Sequence, residues 1–81
     1  MGTIERAARA MHESVQPEWD WDDPDAELLR RMYRDNARAA IGAIREPTDA
    51  VVSAGYNELV RYNSAADAWR AMIDVILGEQ D

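Results

Sequence analysis

The chain has 81 residues, a formal net charge of −7 and no cysteine. A single small domain is expected, burying only about 60% of the surface its unfolded chain exposes, with no disulfide, thiolate nucleophile or cysteine metal site. Net negative charge repels nucleic acid and anionic membranes at long range. The absence of an apolar run near the roughly 20 residues of a membrane span, or of a signal-peptide core, predicts a soluble protein of the cytoplasm.

Four helical segments follow in chain order. Thr3 is placed to cap the first, and Ile4, Ala7, Ala8, Met11 and Val15 recur at helical spacing until Pro17 stops the run. The second and longest is expected to start with Asp23 as cap and Pro24 as its first residue, with Asp25 and Glu27 at the positive end of the helix dipole. Its apolar stripe is Leu29, Met32, Tyr33, Ala37, Ala40, Ile41 and Ile44, and Pro47 closes it. A short third helix is predicted from Thr48, with Val51 and Val52 inward and Gly55 as its stop. Residues 56–63 then read as a further helical turn burying Leu59 and Val60. Ser64, with Asp67 three residues on, marks the start of the last helix. Its stripe is Trp69, Met72, Ile73, Ile76 and Leu77, ended by Gly78. No segment alternates as a strand does. The expected fold is all-α: a compact bundle of three to four helices with an acidic, Trp-containing loop between the first two. The second and fourth helices are its expected main packing pair.

Charge is divided unevenly. Residues 1–17 balance, residues 18–27 carry −6, residues 28–45 carry +4 and residues 46–81 carry −5. All nine basic residues are Arg, the pattern of a GC-rich genome. The acidic decade holds Glu18, Asp20, Asp22, Asp23, Asp25 and Glu27 together with Trp19 and Trp21, two of the three tryptophans. In an extended segment alternate residues face opposite sides at about 3.3 Å per residue. The two rings then seal onto the helical core while Asp20 and Asp22 point outward about 6.6 Å apart, close to the spacing of successive phosphates. These eight residues form the candidate partner-binding site. The plainer reading is a solvated acidic face whose rings extend a small core, with some acids paired to Arg30, Arg31 and Arg34. Glu27 and Arg31 stand in the favourable i, i+4 order. A third reading exposes the rings as interface anchors.

Two segments, ARAAIGAIREPTDAVVSAG (Ala37 to Gly55) and AADAWRAMIDVIL (Ala65 to Leu77), resemble a family of small proteins encoded by bacteriophages and prophages of GC-rich bacteria. The REPT turn and the WRAMID helix carry the resemblance, which covers the C-terminal half. It implies a phage accessory protein, a context that includes inhibitors of host defence such as anti-CRISPR proteins. It assigns no activity and no functional residues, and the acidic stretch matches none of its motifs.

Other chemistry is thinly represented. His12 is the one histidine, and His12-Glu13 lacks the second histidine of a zinc-protease helix. A lone histidine of this kind is expected at a surface or boundary. No glycine-rich loop cradles phosphate. Read as a calcium loop from Asp20, the acidic stretch fails at Pro24, Asp25 and Arg31. Neither a catalytic residue, a metal nor a cofactor is therefore assigned. Arg30, Arg34 and Arg38 form a stripe that fits an internal salt-bridge lattice better than direct nucleic-acid contact.

The expected function is that of a small acidic inhibitor, not an enzyme. It would block a basic surface on a host nucleic-acid-handling protein, the acids of the loop posing as phosphates and Asp67, Asp74, Glu79 and Asp81 extending the negative surface. The alternative is a structural or regulatory interaction module, monomeric or homodimeric, that works through apolar helix faces.

Overall fold

Backbone hydrogen bonds of the i to i−4 type organise nearly all of the chain outside its loops. The computed structural model describes residues 2–79; Asp81 lies outside them. It contains α1 (Thr3–Ser14), α2 (Glu27–Ala43), α3 (Asp49–Tyr62) and α4 (Ala65–Leu77), with no strand among the described residues. The all-α expectation holds, and so does the acidic loop between the first two helices. The helices form two compact units, Met1–Arg45 and Glu46–Asp81.

In the first unit α1 packs on α2. The contact is built on small residues: Ala8 and Ala37 are buried and let the helices approach closely. Ile4, Ala7, Met11, Trp19 and Tyr33 pack around them, and Trp21 completes the cluster from the loop. Val15, expected in the inward stripe, is exposed beyond the helix end. On α2 only Tyr33 and Ala37 reach this cluster; Leu29, Met32, Ile41 and Ile44 remain exposed.

Helix starts differ from the sequence reading in two places. Gly2 occupies the cap position of α1 with no side-chain bond, and Thr3 is already helical. The second helix begins at Glu27, not at Pro24. Asp23 does act as a local cap, but for a turn: its Oδ1 accepts from Asp25 N (2.9 Å) and its carbonyl from Ala26 N (3.1 Å). An aspartate that bonds two residues on favours a turn over a helical continuation. The end of α2 tightens through Ile44 N to Ile41 O (3.2 Å) and Arg45 N to Gly42 O (3.3 Å), ahead of Pro47.

In the second unit α3 packs on α4. Ser64 caps as predicted, its Oγ accepting from Asp67 N (3.1 Å), and Thr48, where the third helix was expected to start, is its cap, Oγ1 accepting from Val51 N (3.4 Å). The Asp67 carboxylate pairs with Arg70. Gly55 does not stop the third helix, which runs on to Tyr62. It is buried against Met72, whose side chain occupies the space a Cβ would take. The glycine serves a close helix approach, and Asn63 provides the stop with a left-handed backbone (φ 49°). Val51 and Ala68 are buried beside it, whereas Val52, Leu59, Val60, Trp69 and Leu77 are exposed. The inward face of α4 is thus set by Ala68 and Met72 and not by Trp69. Each unit is built from helices adjacent in sequence, α1 with α2 and α3 with α4.

Candidate functional site

The acidic loop is positioned from α1 outward. Val15 caps α1, Gln16 adopts a left-handed backbone (φ 50°), and the chain reverses before Pro17. Trp19 and Trp21 then both turn toward the helices, as the alternation predicted, and Asp20 and Asp22 are exposed. The backbone between them is not extended. The Asp20 carbonyl accepts from Asp23 N (3.1 Å), closing a turn. The strand-like row of carboxylates at phosphate spacing is therefore not formed: two bulky rings reach one small core more closely from a turn than from a straight segment.

The rings enter an aromatic cluster. Trp19 and Trp21 stack with centroids 6.3 Å apart and planes 22° from parallel. The His12 ring lies 4.0 Å from that of Trp19 and 5.8 Å from that of Tyr33. Trp21 is the deeper ring, 8% exposed. Its Nε1 donates to Glu5 Oε1 (3.1 Å), and the guanidinium groups of Arg9 and Arg34 stand 5.9 and 5.7 Å from its ring centroid, within cation–π range.

Two side chains fasten the loop by its backbone. His12 Nε2 donates to the Trp19 carbonyl at 3.0 Å. Arg30 Nη1 donates to both the Trp21 carbonyl (2.7 Å) and the Asp23 carbonyl (2.6 Å). His12, expected near the surface, is 4% exposed. It lies four residues after Ala8, on the face of α1 that meets the core.

The acids divide into two groups. Asp22 pairs with Arg9 at 3.1 Å, and Glu27 with Arg30 (3.0 Å) and Arg34 (3.5 Å). The Glu27–Arg31 pairing suggested by spacing is replaced by the i+3 pair with Arg30. Asp23 is occupied by its turn. Glu18, Asp20 and Asp25 are exposed and form no ion pair among the described residues.

Beneath the loop, Arg34 Nε donates to Glu5 Oε2 at 2.8 Å. That hydrogen bond holds the Glu5 carboxyl below its ordinary value, helped by the Trp21 indole, and raises Arg34 in return. The bond from Arg30 likewise lowers Glu27. The Arg stripe of α2 is thus largely a salt-bridge lattice, with Arg38 paired to Asp35 at 3.6 Å.

Between α1 and the loop lies an open cleft of about 450 Å³, lined by Arg9, His12, Glu13, Pro17, Trp19, Asp20, Trp21 and Asp22. Two buried atoms of its lining residues, Arg9 Nε and His12 Nδ1, have no hydrogen-bond partner. Among the described residues no three His, Asp or Glu side chains converge as a metal site.

Of the eight residues singled out from the sequence, the fold brings Trp19, Asp20, Trp21 and Asp22 to the cleft. Asp23 and Glu27 are engaged in structure, and Glu18 and Asp25 remain on the exposed loop. Glu5, Arg9, His12 and Tyr33 were not part of that reading. Glu5, Arg9 and His12 stand at i, i+4 and i+7, a helical-face pattern that an apolar-only search passes over. No helix of the described residues is long and apolar enough to cross a membrane. The chain matches no known protein family, no curated protein and no solved structure.

Proposed function

We propose that the chain is a non-catalytic binding protein whose acidic loop engages a basic surface on a protein partner. One observation carries this reading. The loop is fastened at the Trp19, Trp21 and Asp23 carbonyls while Glu18, Asp20 and Asp25 stay exposed and free of ion pairs. An acidic surface held in one shape loses less side-chain and loop entropy on association than a mobile one. It also speeds encounter with an opposite charge. We place the target on a host nucleic-acid-handling complex, blocked by occlusion of its basic groove in the manner of an anti-CRISPR inhibitor, the context that the REPT and WRAMID segments imply. Because the loop is turned, the contact is an acidic knob and not a phosphate ladder. The one histidine is committed to the Trp19 carbonyl, which favours binding over catalysis.

Capture from host lysate tests the reading, with the Glu18→Lys, Asp20→Lys double variant alongside. These positions leave the Arg9–Asp22 and Glu27 pairs intact. A nucleic-acid-binding complex that elutes at moderate salt and is lost in the variant is the expected result. Partners that survive high salt and bind the variant equally would overturn it.

A second reading, an interaction module or homodimer acting through apolar helix faces, is favoured by the exposure of Leu28 (76%), Tyr56 (63%) and Trp69 (60%). Single large apolar side chains at a surface are ordinary, and a contact needs several of them on one contiguous face. Sedimentation equilibrium over a hundredfold concentration range separates the two. A salt-insensitive dimer that Trp69→Ser dissociates supports this second reading, and a monomer throughout removes the homodimer.

A further inference from the structure

We propose that one side of the α3–α4 hairpin is the surface on which a second copy of this chain docks, hairpin against hairpin. The inference rests on the second reading above and deepens it by naming the face.

Helical geometry gathers that face from both helices. Only Asn63 and Ser64 separate α3 from α4, so the two run antiparallel as an αα-hairpin. Their seam is marked by the buried Val51 and Gly55 on α3 and by Ala68 on α4, with Gly55 set against Met72. One residue further along a helix is turned by about 100°. In antiparallel helices that step falls on the same side of the pair. The residues placed there are Val52, Tyr56 and Leu59 on α3 and Trp69, Ile73 and Ile76 on α4. Val52, Tyr56, Leu59 and Trp69 are exposed, and Ile73 and Ile76 are half-buried. All six are apolar or aromatic, and together they make a contiguous patch of the kind that marks a contact.

The hairpin needs cover. It belongs to the unit Glu46–Asp81, shorter than the roughly 40 residues below which oligomerisation or another staple is usually required. Its buried residues, Val51, Gly55 and Ala68, are all small or medium-sized. Charge selects the occupant. None of the six face residues is charged, and by the same helical geometry Asp67 and Asp74 fall on the opposite side of the hairpin. A basic partner finds no carboxylate on this face to pair with, whereas a second copy meets it without opposing like charges. Area agrees. Helices of 14 and 13 residues are about 20 Å long. Side by side they present a face about 20 Å across, about 400 Å² in plan. Two such faces bury about 800 Å², and the relief of the protruding Trp69 and Tyr56 raises this toward the roughly 1,200 Å² at the low end of specific interfaces. Two antiparallel hairpins of matched length are self-complementary about a two-fold axis and close as four packed helices.

Sedimentation equilibrium of the full chain, at low and high salt, tests the face. The variants are Trp69→Ser and Tyr56→Glu on it, and Leu28→Ser on α2, which is exposed and off it. The indole N–H resonances of Trp21 and Trp69 are followed by NMR across the same concentrations. The expected result is a dimer that high salt does not weaken. Trp69→Ser and Tyr56→Glu should each raise its dissociation constant at least about tenfold, as central aromatic anchors do, and Leu28→Ser should leave it unchanged. The Trp69 resonance should shift with concentration while that of Trp21 stays in place. A dimer that Trp69→Ser leaves intact, or that Leu28→Ser weakens as much, would overturn this face and leave the homodimer reading standing. A monomer throughout would overturn both.

Discussion

Three tryptophans that look alike in the sequence have very different weights in the structure, and replacing each by alanine exposes the difference. Trp21 is 8% exposed, gives its indole N–H to Glu5, and has the guanidinium groups of Arg9 and Arg34 at 5.9 and 5.7 Å from its ring centroid. A tryptophan buries about 150–250 Å². At about 25 cal/mol per Å² this gives about 4–6 kcal/mol of transfer free energy, an upper bound because the unfolded chain is already partly collapsed. Measured Trp→Ala costs in cores run about 3–5 kcal/mol. A chain of this length has a total stability of about 4–12 kcal/mol, so Trp21→Ala removes a large share of it. With a urea slope of about 1 kcal/mol per M, the midpoint falls by about 3 M or the variant fails to fold. Trp69 is 60% exposed, and Trp69→Ala is expected to stay within about 1 kcal/mol of the parent. Trp19, half-buried, falls between. The assay is urea unfolding followed by circular dichroism at 222 nm, with Trp21→Phe as a milder variant that keeps a ring and loses the bond to Glu5. If Trp21→Ala and Trp69→Ala cost the same, or Trp21→Ala costs under about 1 kcal/mol, the loop is not anchored as described.

The two helical glycines should respond in opposite directions. At Gly42 an added Cβ meets nothing, so Gly42→Ala stabilises by roughly 0.5–1 kcal/mol. At Gly55 it meets Met72, so overpacking of about 1–3 kcal/mol outweighs that gain, and Met72→Ala in the same chain should recover part of the loss; thermal melts of the three variants against the parent decide it. Glu5 gives a pH signature. Its carboxyl is lowered from an ordinary value of 4.5 by the hydrogen bond from Arg34, so its contribution is present above that value and is lost as pH falls through the lower folded one. Glu5→Gln should be less stable than the parent at pH 7, and the gap should close on acidification below about pH 4.5; a gap that is constant from pH 7 to pH 2.5 would show that the carboxylate carries no linked stability.

The helices were legible because their ends carry local chemistry. Thr48 and Ser64 cap as their side chains dictate, and Pro17 and Pro47 follow helices that have ended. The failures share one cause: local signals have a second use once tertiary contacts exist. Gly55 looks like a stop but is a space for Met72. Asp23 looks like a helix cap but closes a turn. Trp69 looks like core, yet Ala68 takes the inward position because a small residue allows a closer helix approach. At the site, the alternation of rings and acids was readable from residues 19–22. The anchors were not. His12 and Arg30 bind the loop through main-chain carbonyls, and such bonds leave no pattern in residue types.

Arg30 holds the loop by carbonyl oxygens alone, at Trp21 and Asp23. Every residue type carries that oxygen. The path of the loop is therefore indifferent to which side chains it displays at Glu18, Asp20 and Asp25, and these positions can be exchanged without redrawing it. Shape and surface are specified by separate parts of the chain: His12 and Arg30 in the helices, with the rings of Trp19 and Trp21, keep the frame, and the loop's outward residues are free to vary one at a time.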